Sequence, residues 1–173
     1  MEMVYDLLKI TLPALIVVYA VFMVVRSFMQ KQLDEYRMAI KQKNQEIVTP
    51  IRLQAYERVC LLLERISPNN VIPRVNHPEM TSKDLQGALT TEIRNEYNHN
   101  LSQQVYMSDD AWSFVSGAVE QLISMINEAG NTVPGDAASI ELARAIFEKS
   151  MKNDQDTIKG ALRFLKSEIS EVF

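Results

Sequence analysis

The sequence predicts an all-α protein in three parts: a transmembrane anchor at 1–26, a juxtamembrane helix at 27–48 that continues it, and a cytoplasmic bundle of about five helices at 49–173. Three observations predict this fold class. Residues 10–25 carry no charge, residues 29–47 carry a thin apolar stripe, and the rest of the chain repeats apolar residues at spacings of three and four. Because no alternation of period two extends beyond a few residues, we predict no β-sheet.

The first part is long and apolar enough to cross a bilayer. Its uncharged run is ITLPALIVVYAVFMVV. From Tyr5 to Arg26 a helix would rise about 31 Å, close to the thickness of a bilayer core. We therefore expect residues 5–26 to bind the lipid bilayer. Two alternatives stay open: a cleaved signal peptide, which the acidic start and the apolar run past Ala20 disfavour, and a buried core helix, which would normally show a polar face.

The distribution of basic residues predicts an orientation for this anchor. Before the uncharged run the chain has one lysine, Lys9. After the run come five basic residues, which are Arg26, Lys31, Arg37, Lys41 and Lys43. Because basic residues stay on the cytoplasmic side, we expect the N-terminus outside and residues 27–173 in the cytoplasm. The lone Cys60 agrees with a reducing compartment.

The juxtamembrane helix is polar apart from one heptad-like stripe. The stripe consists of Met29, Leu33, Tyr36, Ile40 and Ile47. Lys43 occupies a further position of the same repeat. The pattern predicts a parallel coiled coil that dimerises the chain, or a stalk. The alternative is a stripe that packs on the chain's own helical domain.

Capping residues divide the remaining chain into helices. Thr49–Pro50 predicts the start of a helix that ends before Ser67–Pro68. Residues 67–80 hold three of the six prolines, and we predict an extended loop there. Further helix starts are predicted at Thr81, Ser108, Asp136 and either Asp154 or Asp156, with a short extended piece at 103–107.

Composition argues against several classes of function. A net charge of -4 is unlike a general nucleic-acid binder, and one Cys with two His is too few for a disulfide framework or a Cys-rich zinc module. Glu96 and His99 have the spacing that di-iron bundles use, but such a site needs a second copy. We therefore expect no enzyme and no catalytic, cofactor-binding or metal-binding residue. An enzyme built from scattered carboxylates is the third-ranked alternative.

Four residues are candidate contacts for a partner protein. Arg58 and Arg65 recur on one face of their helix, where they form either a charged docking strip or local pairs with glutamates. Tyr106 and Trp112 flank the turn at Ser108, where they line a groove for a partner helix or belong to the core.

A resemblance to a known family rests on two runs of residues. They are VTPIRLQAYER at 48–58, continued by LLLERISP at 61–68, and NLSQQVY at 100–106, which leads to Ala111–Trp112. These runs resemble an uncharacterised family of small single-pass bacterial membrane proteins. The resemblance implies the bacterial inner membrane and carries over no catalytic residue.

The sequence as a whole favours a membrane-tethered interaction or scaffold module, an accessory component of a membrane complex. The alternative is a self-assembling structural protein that dimerises through the juxtamembrane helix. We expect either a protein partner or a homo-oligomer, and no nucleic acid.

Overall fold

The computed structural model describes residues 2–152 and 157–172, with side chains described at Lys9, 11–151 and 157–170. Six α-helices and one 3₁₀ helix (Leu101–Tyr106) account for most of these residues. The α-helices are α1 (Glu2–Ile66), α2 (Pro68–Val75), α3 (Ser82–Asn100), α4 (Asp109–Gly130), α5 (Ser139–Lys152) and α6 (Thr157–Val172). The described part of the chain contains no β-strand, only an isolated bridge between Thr81 and Ala138. The all-α prediction is confirmed.

The chain divides into two compact units, Met1–Thr49 and Pro50–Phe173. The first unit is the N-terminal part of α1, and it contains an 18-residue window with a mean hydropathy of 2.1, of which 0% is buried. By length and composition this helix is able to cross a membrane. A core helix of a soluble domain would instead bury most of such a window.

The predicted helix start at Thr49–Pro50 is wrong, because α1 runs through both residues without interruption. Proline has no N–H, so the carbonyl of Glu46 loses its usual partner four residues on. Glu46 and Pro50 are both exposed. Water can therefore satisfy this carbonyl, and the helix needs no end at this position.

The prediction of an extended loop at 67–80 is also wrong in its first half, where α2 forms. Pro68 stands at the first position of α2, where its missing N–H costs nothing. Ser67 and Asn70 then satisfy the end of α1, because their side chains both donate hydrogen bonds to the carbonyl of Glu64, at 2.7 Å each. Pro73 lies inside α2, and only residues 76–81 leave the helix.

Two predicted helix starts are confirmed in atomic detail. The Thr81 hydroxyl accepts a hydrogen bond from the Asp84 backbone N–H, and the Asp84 carboxylate accepts one from the Thr81 N–H, which is a complete capping box. The Ser108 hydroxyl accepts a hydrogen bond from the Ala111 N–H at 3.0 Å. Asp109 and Asp110 lie in the first turn of α4, where the helix dipole favours them.

Other local predictions are corrected. The chain at 101–106 is a 3₁₀ helix and not an extended piece. Helix α5 begins at Ser139 and not after Asp136, because the backbone just before it hydrogen-bonds to the start of α3: Ser82 N–H donates to the Ala137 carbonyl at 2.8 Å, and Ser139 N–H donates to the Met80 carbonyl at 3.1 Å. The predicted start at Asp154 or Asp156 lies outside the described residues.

One apolar core holds the second unit together. Helix α4 packs against α3, α5 and α6, and α3 also packs against α2 and α5. The end of α1 contributes Tyr56, Val59, Leu62, Leu63 and Ile66, each no more than 1% exposed. This burial fixes one face of α1 in the core and leaves the opposite face, with Arg58, at the surface.

Candidate functional site

A surface cleft of about 480 Å³ lies between the end of α1 and α3. Its volume falls in the range of small-molecule pockets. From α1 it is lined by Arg58, Leu61 and Arg65, and from α3 by Glu92, Glu96 and His99. The spacing of three and four on both helices turns these side chains toward each other.

Most of the described charged side chains around this cleft form ion pairs. Arg65 binds Glu96 through both Nε and Nη2, with the Nε–Oε1 distance at 2.8 Å. Arg74 of α2 lies 3.0 Å from the Glu92 carboxylate and 3.8 Å from that of Glu96. Each glutamate therefore has a cation beside it, and the ends of α1, α2 and α3 are tied together.

Arg58 differs from Arg65 in having no such partner among the described residues. It is exposed, and no carboxylate in the described ranges lies within ion-pair distance of it. The two arginines share a face of α1 and line the same cleft, as their spacing indicates. Arg65 forms an ion pair with a glutamate. Arg58 has an exposed guanidinium, and no ion pair joins it to another described residue.

Tyr106 and Trp112 occupy different places from the arginines. Trp112 is half-buried and stacks on Tyr97 with ring centroids 5.6 Å apart. The Tyr106 side chain is 41% exposed, and its backbone carbonyl accepts a hydrogen bond from Arg52 at 3.0 Å. Within the described part of the chain, no hydrogen bond, ion pair or ring contact joins either aromatic residue to Arg58 or Arg65.

The Glu96–His99 pair lies on the wall of the same cleft. Glu96 is occupied by Arg65, and the described residues contain no group of three His, Cys, Asp or Glu side chains that could hold a metal ion. The Glu96 carboxylate thus serves as an ion-pair partner of Arg65.

A second polar cluster escaped the sequence analysis. Glu168 of α6 accepts hydrogen bonds from the Tyr56 hydroxyl at 2.6 Å and from the Ser108 hydroxyl at 2.8 Å. Burial, followed by the bond to Glu168, raises the pKa of Tyr56 above its usual value of 10.0. The cluster joins α1, α6 and the capping residue at the start of α4. Its sequence signal is a tyrosine on the apolar face of a helix, where the hydroxyl needs a partner.

The environment of Cys60 disfavours the reactive thiolate form. It is half-buried beside the core, and burial raises the pKa of its thiol above 9.0, while Lys166 opposes this effect to a smaller extent. A raised pKa keeps the thiol protonated and unreactive at neutral pH.

The described geometry defines a small helical domain with a charged cleft and an apolar N-terminal helix. The chain belongs to a family of unknown function, DUF7935, and the match to this family covers residues 2–172. No curated protein and no solved structure matches the chain. The family match spans both compact units of the chain.

Proposed function

We propose that this protein is a membrane-tethered interaction or scaffold module, an accessory component of a complex in the bacterial inner membrane. One observation carries the proposal: the apolar window of α1 is entirely unburied, yet it continues the helix whose other end is part of a packed domain. An apolar surface of this length in water is strongly unfavourable, and a bilayer would cover it.

The orientation in this proposal follows from charge. Five basic residues follow the apolar run between 26 and 43, and one precedes it. We place the N-terminus outside and residues 27–173, with their bundle of helices, in the cytoplasm. The domain beyond residue 48 has 12 basic and 17 acidic residues. A basic stretch beside anionic headgroups and an acidic domain beyond it agree with this placement.

The interaction role rests on the cleft. Its ion pairs hold helices together, and among the described residues around it Arg58 is the cation left without a carboxylate partner. We assign no catalytic, cofactor-binding or metal-binding role to any residue, and we propose that the protein is not an enzyme.

Location and orientation are tested together by labelling in intact cells. The chain carries Cys60→Ser and Ser102→Cys, because Ser102 is an exposed residue of the proposed cytoplasmic part. We expect the protein to stay in the membrane pellet after alkaline washing. A membrane-impermeant maleimide should label the introduced cysteine only after the cells are opened. Release by the wash would contradict the anchor, and labelling of closed cells would contradict the orientation.

The second candidate function is self-assembly through the stripe at 29–47. The favouring observation is that every apolar residue of the stripe is exposed: Met29 53%, Leu33 53%, Tyr36 68%, Ile40 45% and Ile47 58%. Light scattering of the detergent-solubilised full-length protein tests this candidate. A dimer that Leu33→Glu dissociates, and that Gln42→Glu on the polar side leaves intact, would support it. A strict monomer at high concentration would remove it.

A further inference from the structure

Among the described residues, Arg58 is an unpaired cation in a cleft whose other charges are already matched. The charged side chains that line the cleft are Arg58, Arg65, Glu92 and Glu96. Arg74 of α2 does not line the cleft but binds both glutamates, so three described arginines face two carboxylates and one positive charge is in excess. Arg65 and Arg74 are bound to the glutamates. The surplus charge is therefore located on Arg58, on a domain that is otherwise acidic.

The surface around Arg58 has an apolar side chain on the α1 wall and polar side chains on the α3 wall. Leu61, one turn further along α1, is 54% exposed and lines the cleft. On the opposite wall, Asn95 and His99 of α3 are exposed and present hydrogen-bonding groups. Leu62 also lines the cleft and is buried. The cleft thus combines one guanidinium, one exposed leucine and two hydrogen-bonding side chains above a buried floor.

These features match an acidic segment of a protein. An arginine fork binds a carboxylate with two parallel hydrogen bonds, which gives geometric specificity. An exposed leucine is covered favourably by an apolar side chain from the same segment. Since the arginine and the leucine both lie at the surface, the cleft suits the protruding side chains of a partner, rather than a small molecule enclosed on all sides.

We propose that the α1–α3 cleft is the docking site for an acidic segment of a partner protein. An Asp or Glu of that segment binds Arg58, and a neighbouring apolar side chain covers Leu61. Charge complementarity argues for this occupant, because the described glutamates of the cleft are bound elsewhere and leave the guanidinium of Arg58 without a counter-charge. The inference rests on the proposed interaction function and specifies the chemistry of the partner. Arg65 positions the α3 wall of the cleft by binding Glu96, and Arg58 makes the contact with the partner segment.

Site-specific photo-crosslinking tests the inference in the full-length protein in native membranes. A photo-crosslinking amino acid replaces Asn95, which lines the cleft together with Arg58 and is exposed. After irradiation we expect one adduct, whose cross-linked peptide contains Asp or Glu next to an apolar residue. Arg58→Glu should reduce the adduct about tenfold, because repulsion replaces the bond. Higher salt should weaken the adduct as well.

Arg94→Glu is the matched control. Arg94 is also an exposed arginine, on α3, but it does not line the cleft. We expect this variant to leave the adduct unchanged. Fluorescence of Trp112, the single tryptophan of the chain, verifies that both variants are folded.

The outcomes separate the inference from the function on which it rests. An adduct to a basic or neutral segment, an adduct to a second copy of this chain, or one that Arg58→Glu leaves intact overturns the acidic-segment inference. If no adduct forms from Asn95 but one forms from the exposed Phe114, the inference fails and the interaction function survives. If neither position gives an adduct, both fail.

Discussion

The hydrogen bond between Tyr56 and Glu168 should contribute measurably to folding, and Tyr56→Phe tests this directly. Tyr56 is 1% exposed, and its hydroxyl donates to the Glu168 carboxylate at 2.6 Å. Hydrogen bonds to charged groups contribute about 1.5–3 kcal/mol. Glu168 keeps its second bond, from Ser108 at 2.8 Å, so its charge is not left without a donor. We therefore expect a loss of about 2 kcal/mol.

The assay is urea unfolding of the full-length protein in detergent, followed by fluorescence. Trp112 is the single tryptophan and packs against the core of the second unit, so its emission reports the unfolding of that unit. With a slope of about 2 kcal/mol per molar urea, the midpoint should fall by about 1 M at an unchanged slope. Tyr36→Phe is the control, because Tyr36 is 68% exposed and lies in the first unit.

Equal midpoints for Tyr56→Phe and Tyr36→Phe would refute this reasoning. A double-mutant cycle with Glu168→Gln adds a second check. We expect a coupling energy of about 1–2 kcal/mol between Tyr56 and Glu168, since the two groups are in direct contact. A coupling near zero would mean that the bond contributes nothing to stability.

Three further predictions concern stability. The pKa of Tyr56 is raised in the folded state, so the stability that it contributes is complete below about pH 10 and lost as the pH rises through the raised value. The free energy of unfolding should therefore fall less steeply with rising alkaline pH in Tyr56→Phe than in the unsubstituted protein. Leu89→Ala should cost about 2–5 kcal/mol, because Leu89 is 0% exposed, whereas Val105→Ala, at a residue 78% exposed, should change stability by less than about 0.5 kcal/mol in the same urea titration. Hydrogen bonds from the Thr81 hydroxyl and N–H lower the pKa of Asp84. The stability that ionised Asp84 contributes is therefore present above about pH 4 and is lost as the pH falls through the lowered pKa. On acid titration, Asp84→Asn should lose less stability than the unsubstituted protein.

Helix starts were predictable from the sequence wherever the capping residue and its hydrogen-bond partner are close together in the chain. Thr81 with Asp84, and Ser108 with its two following aspartates, each complete their caps within three residues of the chain. The predicted helix end before Ser67–Pro68 is confirmed, because α1 ends at Ile66. Sequence reasoning failed where Pro50 was interpreted as a helix start and Pro68 as part of a loop. Pro50 is tolerated on an exposed side of α1, and Pro68 begins α2 instead of continuing a loop. In both cases the deciding factor is whether the backbone groups around the proline find another partner.

The cleft was only partly predictable, because its partners are distant in sequence. Helical spacing placed Arg58 and Arg65 on one face of α1. Which of them is paired depends on Glu96, which lies 31 positions after Arg65. The Tyr56–Glu168 bond spans 112 positions. Contacts of this kind depend on which helices meet in the folded domain, and no local sequence pattern reports this.

Whether the chain is an interaction module for a membrane complex is decided by mass spectrometry of the proteins that co-purify with the tagged full-length chain. The chain is extracted gently from native membranes, in parallel with the Arg58→Glu and Arg94→Glu variants. We expect one stoichiometric membrane partner that is retained with Arg94→Glu and lost with Arg58→Glu. Recovery of the chain by itself as a defined oligomer would contradict the claim and favour the self-assembling structural protein.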